Sequence, residues 1–174
     1  MRELLRAACF AAEKHAAQRR KGGAAEPYVN HLLEVARLVA DALDEPDEPL
    51  VMAALLHDTL EDTNTTYDEL IREFGDDIAS LVAEVTDDKT LPKAERKRLQ
   101  IEHARTRTRR AQVIKLADKI SNLRSLALSP PTGWDEARKL EYLDWSRQVV
   151  AGLPEPNAKL LAEFERMSRQ YPGS

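Results

Sequence analysis

The chain has 174 residues, 43% hydrophobic and 32% charged, with a formal net charge of −4. That length suits one domain with a sizeable core, and the acidic balance argues against a general affinity for nucleic acid or anionic membrane. A single cysteine, Cys9, excludes an intrachain disulfide and a cysteine-based zinc site, so a reducing cytoplasm is the expected setting.

The N-terminal stretch MRELLRAACFAAEKH carries charges at 2, 3 and 6 within its apolar pattern and does not read as a signal peptide. No run approaches the roughly 18 apolar residues of a membrane span. Residues 3–19 have helical apolar spacing and are rich in alanine. RRKGGAAEPY, at 19–28, breaks that pattern with three cations, two glycines and Pro27, and its Gly-Gly predicts a flexible loop. Asn30 is placed to cap a helix reaching about Leu43.

After the proline-punctuated turn DEPDEP, a third helix is predicted over about 49–61. It is apolar almost all round, which argues a buried central position. Thr66 and Glu69 form a capping-box pattern for a helix ending at Phe74-Gly75, and Asp76 or Asp77 starts the next, through Val85. TDDKTLPK reads as a loop with Pro92 as a first-turn proline. KAERKRLQIEHARTR is a charged helix, and AQVIKLADKISNLRSL, about 111–126, is amphipathic. SPPTG breaks the chain before two last helices, about 134–150 and 155–170. With no alternating strand pattern and no internal repeat, the expected fold is all-α, a single compact bundle of about eight helices.

The stretch LLHDTLEDT, 55–63, concentrates the chemistry. If helical, it places His57 four residues from Glu61 and Asp58 four residues from Asp62, on neighbouring faces. Three carboxylates so close repel one another unless a metal cation or basic side chains offset them. His31, opening the second helix, and Asp118, after the apolar patch Val113, Ile114, Leu116, are further candidate ligands, with Asn122 one turn beyond Asp118. Two imidazoles with two carboxylates suit Mn²⁺, Fe²⁺ or Zn²⁺ better than Ca²⁺. Water on such a metal would have its pKa lowered toward neutrality.

Taken in order, His31, His57-Asp58 and Asp118 resemble the HD superfamily of metal-dependent phosphohydrolases. AEKHAAQRRKGGAAEPYVNH, LLHDTLEDT, FGDDIASLVAEVTDDKT and VIKLADKISNLRSL are similar to the hydrolase domain of the RelA/SpoT alarmone enzymes. TDDKTLPKAERKRLQ and GWDEARKLEYLDW resemble the small stand-alone hydrolases of the metazoan SpoT homologue type, over about residues 10–152. The length of the 20–28 loop also agrees with the small hydrolases. The longer enzymes continue into synthetase and regulatory domains, and the chain is expected to hold neither.

The resemblance implies His31, His57, Asp58 and Asp118 as ligands of one Mn²⁺ per chain, with Glu61 and Asp62 as the acidic pair that activates water. It implies Arg20, Lys21 and Asn122 at the nucleotide, Arg20 against the guanine face, and Lys93, Arg138 and Tyr142 as further contacts. The activity implied is hydrolysis of guanosine tetra- and pentaphosphate to GDP or GTP and pyrophosphate. Alternatives are removal of another ribose phosphate, such as the 2′-phosphate of NADPH, and a non-catalytic nucleotide-binding module. A small guanine nucleotide is the expected partner, without nucleic acid or membrane, and the oligomeric state is open.

Several residues also have plainer readings. Lys93 and the 96–98 cations fit a solvated helix face equally well, and Tyr142 fits a core position. Arg105, Arg107, Arg109 and Arg110 read as a solvated turn. His15 and His103 read as structural or exposed, and Trp134 and Trp145 as helix packing rather than ligand contacts.

Overall fold

Two largely buried helices form the centre, and most of the others pack on one or both of them. The computed structural model describes residues 1–169. Its elements are α1 (Arg2–Lys14), α2 (Val29–Ala42), α3 (Glu48–Leu56), α4 (Thr59–Asp62), α5 (Tyr67–Phe74), α6 (Asp76–Val85), α7 (Lys93–Ala104), α8 (Arg109–Leu128), α9 (Glu136–Ala151) and α10 (Ala158–Arg169). Among the described residues the fold is all-α, and extended pairing is confined to two isolated bridges, Arg19 to Pro27 and Gly22 to Pro131. The last position of the expected 155–170 helix, residue 170, lies outside the described residues.

α3 is one of the two central helices. Leu50, Met52, Ala53, Ala54, Leu55 and Leu56 are all buried, as an all-round apolar sequence requires. It starts where the Asp47 carboxylate accepts from the Leu50 amide at 3.0 Å, with Pro49 in the first turn. α3 packs on α1, α2 and α6. The other central helix, α8, packs on α2, α6, α9 and α10, while α5 packs on α6 and α7 on α9. α8 buries Gln112, Lys115, Lys119 and Ser121 as well as its apolar residues, which its reading as a simple amphipathic helix did not suggest.

Residues 49–61 do not form one helix. The Thr59 hydroxyl donates to the Leu56 carbonyl at 2.6 Å, and His57 Nδ1 meets the Ala54 carbonyl at 2.8 Å. These side chains take carbonyls that a continuing helix would use. The chain turns at His57-Asp58 and restarts as α4, which is one reason the helices exceed the expected eight.

Other local expectations are adjusted. α2 begins one residue before Asn30, because the carbonyls of Pro27 and Tyr28 receive the amides of Asn30 and His31 at 3.1 and 2.9 Å. Pro92 stands just outside α7, at its N-cap. Thr66 caps α5 through the Glu69 amide, but the Glu69 carboxylate pairs with Lys14 at 2.9 Å instead of closing the box.

The 105–110 cations are not simply a solvated turn. Arg107 is buried and donates to the Glu84 carbonyl, while Arg110 bridges Asp47 and Asp77. Arg105 and Arg109 are exposed. The 19–28 loop is tied down rather than free. A Cβ on Gly22 would lie 2.2 Å from the Ser129 carbonyl oxygen, so only glycine admits that approach.

Candidate metal and phosphate site

The first turn of α2, the turn between α3 and α4, and the middle of α8 meet at one point. There His31, His57 and Asp118 present ligand atoms within 4.8 Å of one another. His31 Nε2 is 3.3 Å from Asp118 Oδ1. Asp58 stands beside this group, with Oδ2 at 3.0 Å from His57 Nε2 and 3.6 Å from His31 Nε2. The Tyr28 hydroxyl donates to the same Asp58 oxygen at 2.7 Å.

Each imidazole is oriented from behind. His57 Nδ1 donates to the Ala54 carbonyl. His31 Nδ1 donates to Ser121 Oγ at 2.8 Å, and the Ser121 hydroxyl in turn donates to Glu34 at 2.6 Å. Both Nε2 atoms therefore carry lone pairs and face carboxylate oxygens. His57 Nε2 is buried with no hydrogen-bond partner. Lone pairs facing lone pairs in a buried place call for a cation, and this donor set fits a divalent metal. In the metal-free state a proton takes that place. Burial lowers the pKa of His57, but Asp58 and Asp118 outweigh it and lift the pKa from 6.5 to about 9. Burial disfavours the charged forms of Asp58 and Asp118 too, yet the histidines around them, joined at Asp118 by the Lys119 ammonium, hold both below the usual carboxylate range.

The two acids of α4 are separated by their neighbours. Glu61 accepts from the Asp87 amide at 3.2 Å and lies 3.7 Å from Arg96. Burial first, then Asp58 and Asp87, raises its pKa from 4.5 to about 7. Asp62 accepts from Gln18 Nε2 at 2.9 Å and pairs with Lys89. Gln18 is itself held by His15 Nδ1 at 2.6 Å, and the His15 ring stacks on Tyr28. His15 is thus structural, as expected, but it supports the site.

Two cavities flank the cluster. One, about 290 Å³, is lined by Arg20, Lys21, Tyr28, Asn122, Trp134 and Tyr142 among others. Arg20 donates to Asn122 Oδ1 at 3.0 Å, and Asn122 Nδ2 donates to Asp118 Oδ1 at 2.6 Å, so one asparagine joins the cavity wall to the cluster. The other cavity, about 390 Å³, takes in Asp58, Glu61, Asp62 and Asp118 together with a set of lysines. Lys21, Lys93, Asn122 and Tyr142 border both.

Of the residues expected to contact the nucleotide, Arg138 alone lines neither cavity. Its guanidinium packs 4.7 Å from the centre of the Trp134 ring. Both tryptophans reach cavity walls instead of only packing helices: Trp134 lines the first and Trp145 the second. The sequence also gave no assignment to Gln18, Tyr28, Glu34, Ser121 or Lys119. Glu34 and Ser121 carried a signal, since each lies three residues along its helix from a candidate ligand. Gln18, Tyr28 and Trp134 sit on segments whose approach only the tertiary fold decides.

A family model described as HD domain matches residues 7–144. The guanosine-3′,5′-bis(diphosphate) 3′-pyrophosphohydrolase MESH1 of Xenopus tropicalis is 51% identical over 94% of this chain and 92% of that protein. The human protein of the same name is 49% identical over 97% of this chain and 94% of its own. The solved structure of a metazoan SpoT orthologue that hydrolyses ppGpp superposes with a TM-score of 0.93, at 44% identity, covering 98% of this chain and 96% of that one.

Proposed function

The chain belongs to the HD domain family, and on that premise we propose that residues 1–174 act as one hydrolase unit. It removes the 3′-diphosphate of guanosine tetra- and pentaphosphate with the help of Mn²⁺, giving GDP or GTP and pyrophosphate. The observation that carries this reading is the pair of inward-facing histidine Nε2 atoms, fixed by Ala54 and Ser121, beside a glutamate whose pKa is raised to about 7. The relatives' named activity supports the same substrate.

His31, His57, Asp58 and Asp118 would hold the ion. When bound, it supplies positive charge to the phosphate and acidifies water. Every other task falls to side chains. Glu61, with a pKa near the working pH, takes the water proton. Asp62, fixed by Gln18, orients that water. Arg20, braced by Asn122, offers its planar guanidinium to the purine, and Tyr142 and Trp134 wall the same cavity. Lys21 and Lys93, which border both cavities, meet the phosphates. Phosphoryl transfer asks a protein mainly for such positioning and charge compensation.

The test is turnover of the tetraphosphate by the Mn²⁺-loaded protein, followed by chromatography of the products. GDP and pyrophosphate in equal amounts are expected. Intact tetraphosphate after incubation with metal-loaded, folded protein overturns the reading.

A further inference from the structure

The larger cavity holds more positive charge than the reading above uses. Lys115 and Lys119 lie one turn apart on α8 and are 7% and 2% exposed. Lys115 Nζ stands 3.9 Å from Asp87, and Lys119 Nζ stands 3.9 Å from Asp118 Oδ2, both beyond hydrogen-bond reach. Lys119 instead donates to Gln100 Oε1 at 2.9 Å and rests 3.9 Å above the Trp145 ring. Lys97 reaches the same ring from α7 at 5.2 Å, and its ammonium pairs at the solvent edge with exposed Glu141 at 3.1 Å. Arg96, on the same wall, has a buried Nε with no hydrogen-bond partner. Buried ammonium groups whose nearest carboxylates stop short of hydrogen-bond contact are only partly compensated and gain from an arriving anion. Five acids border the cavity against seven cations: Asp58 and Asp118 are engaged at the candidate metal cluster, Glu61 lies 3.7 Å from Arg96, Asp62 pairs with Lys89, and Asp87 accepts from Gln100.

We propose that this chamber, formed by Arg96, Lys97, Lys115 and Lys119, is a subsite for the outer phosphate of a diphosphate group. It holds the far end of the substrate's 3′-diphosphate and then the pyrophosphate product. The inference rests on the reading that the chain cleaves a ribose diphosphate. In that reaction the water oxygen bonds to the inner phosphorus, and the bond from that phosphorus to the ribose oxygen breaks. Glu61 receives the water proton and returns it to the ribose oxygen, so atoms and charge balance. The inner phosphate is at the cluster, the nucleoside lies in the aromatic cavity, and the outer phosphate reaches the lysines. A ligand with a single phosphate ends at the cluster and leaves the chamber unfilled.

The experiment is calorimetric titration of inorganic pyrophosphate and of orthophosphate into the Mn²⁺-loaded protein at constant free metal. Pyrophosphate is expected to bind at least about tenfold more tightly, the worth of one or more charged hydrogen bonds. Lys119→Met and Lys97→Met are each expected to weaken pyrophosphate about tenfold and orthophosphate by no more than about twofold. Lys97 is partly exposed, so its variant carries the test if Lys119→Met does not fold. Equal binding of the two anions, or pyrophosphate binding unchanged in the folded variants, overturns the subsite. Turnover of the tetraphosphate is measured on the same samples. Selective loss of pyrophosphate binding without tetraphosphate turnover in the parent keeps the subsite and sinks the functional reading. Turnover with unchanged pyrophosphate binding does the reverse.

Discussion

Ser121 joins His31 to Glu34: its hydroxyl accepts from His31 Nδ1 at 2.8 Å and donates to Glu34 at 2.6 Å. Glu34 is anchored in turn by Arg124 at 2.8 Å. This relay sets which nitrogen of His31 faces the cluster. Ser121→Ala should leave the helix intact but free the ring and lower metal affinity about tenfold or more. Competition against a chelating dye measures it. Unchanged affinity in a folded variant contradicts the role given to the relay.

Metal and protons compete for the same place. His57, raised from 6.5 to about 9, contributes stability that is full below 6.5 and is lost as pH rises through 9. Glu61, raised from 4.5 to about 7, has the same sign: its contribution is lost as pH rises through 7. The melting temperature of metal-free protein should therefore fall between pH 6.5 and 9. Saturating Mn²⁺ should raise it most at the alkaline end, because binding no longer has to displace a proton. Thermal melts across that range, with and without metal, decide it.

The two acids of α4 should fail differently from the ligands. Glu61→Gln should retain metal and lose turnover by at least about a hundredfold, as removal of a general base does. His57→Ala and Asp58→Ala should lose metal and turnover together. Metal analysis beside initial rates separates these outcomes. In the parent, the rising limb of kcat with pH should lie at or below 7, since a cation at the cluster offsets the repulsion from Asp58 that raises Glu61.

Gln18 controls Asp62 by donating an amide proton to it. Gln18→Glu is nearly isosteric, so it puts a second carboxylate about 2.9 Å from Asp62 Oδ2. The His15 contact survives, because Nδ1–H can still donate. The expected result is a pH–rate profile displaced to higher pH, with metal content unchanged. A profile identical to the parent's means that Asp62 does not depend on Gln18.

Gly22→Ala tests the strap between the 19–28 loop and the end of α8. The new Cβ meets the Ser129 carbonyl at 2.2 Å, so backbone must shift, at a cost of about 1–3 kcal/mol. Arg20 is two residues away, at the cavity wall. KM for the nucleotide should therefore rise while metal affinity holds, as steady-state kinetics and chelator competition report.

The sequence by itself determined the helical class, the buried character of α3, and the order of His31, His57-Asp58, Asp118, Glu61 and Asp62. Those follow from local periodicity and residue chemistry, which need no knowledge of what packs against what. It misread the continuity of 49–61, because the helix break depends on Thr59 and His57 side chains taking backbone carbonyls. It left Gln18, Tyr28, Ser121, Trp134 and the buried lysines without roles. Only the tertiary structure decided those. Gln18 reaches Asp62 across 44 positions of chain, and Ser121 reaches Glu34 across 87. The orientation of each imidazole, the division of the two acids and the charge stored in the second cavity all arise from such meetings. They depend on helices being brought together, and spacing along the chain marks at most a shared helix face, as for Glu34 and Ser121, without saying what meets it.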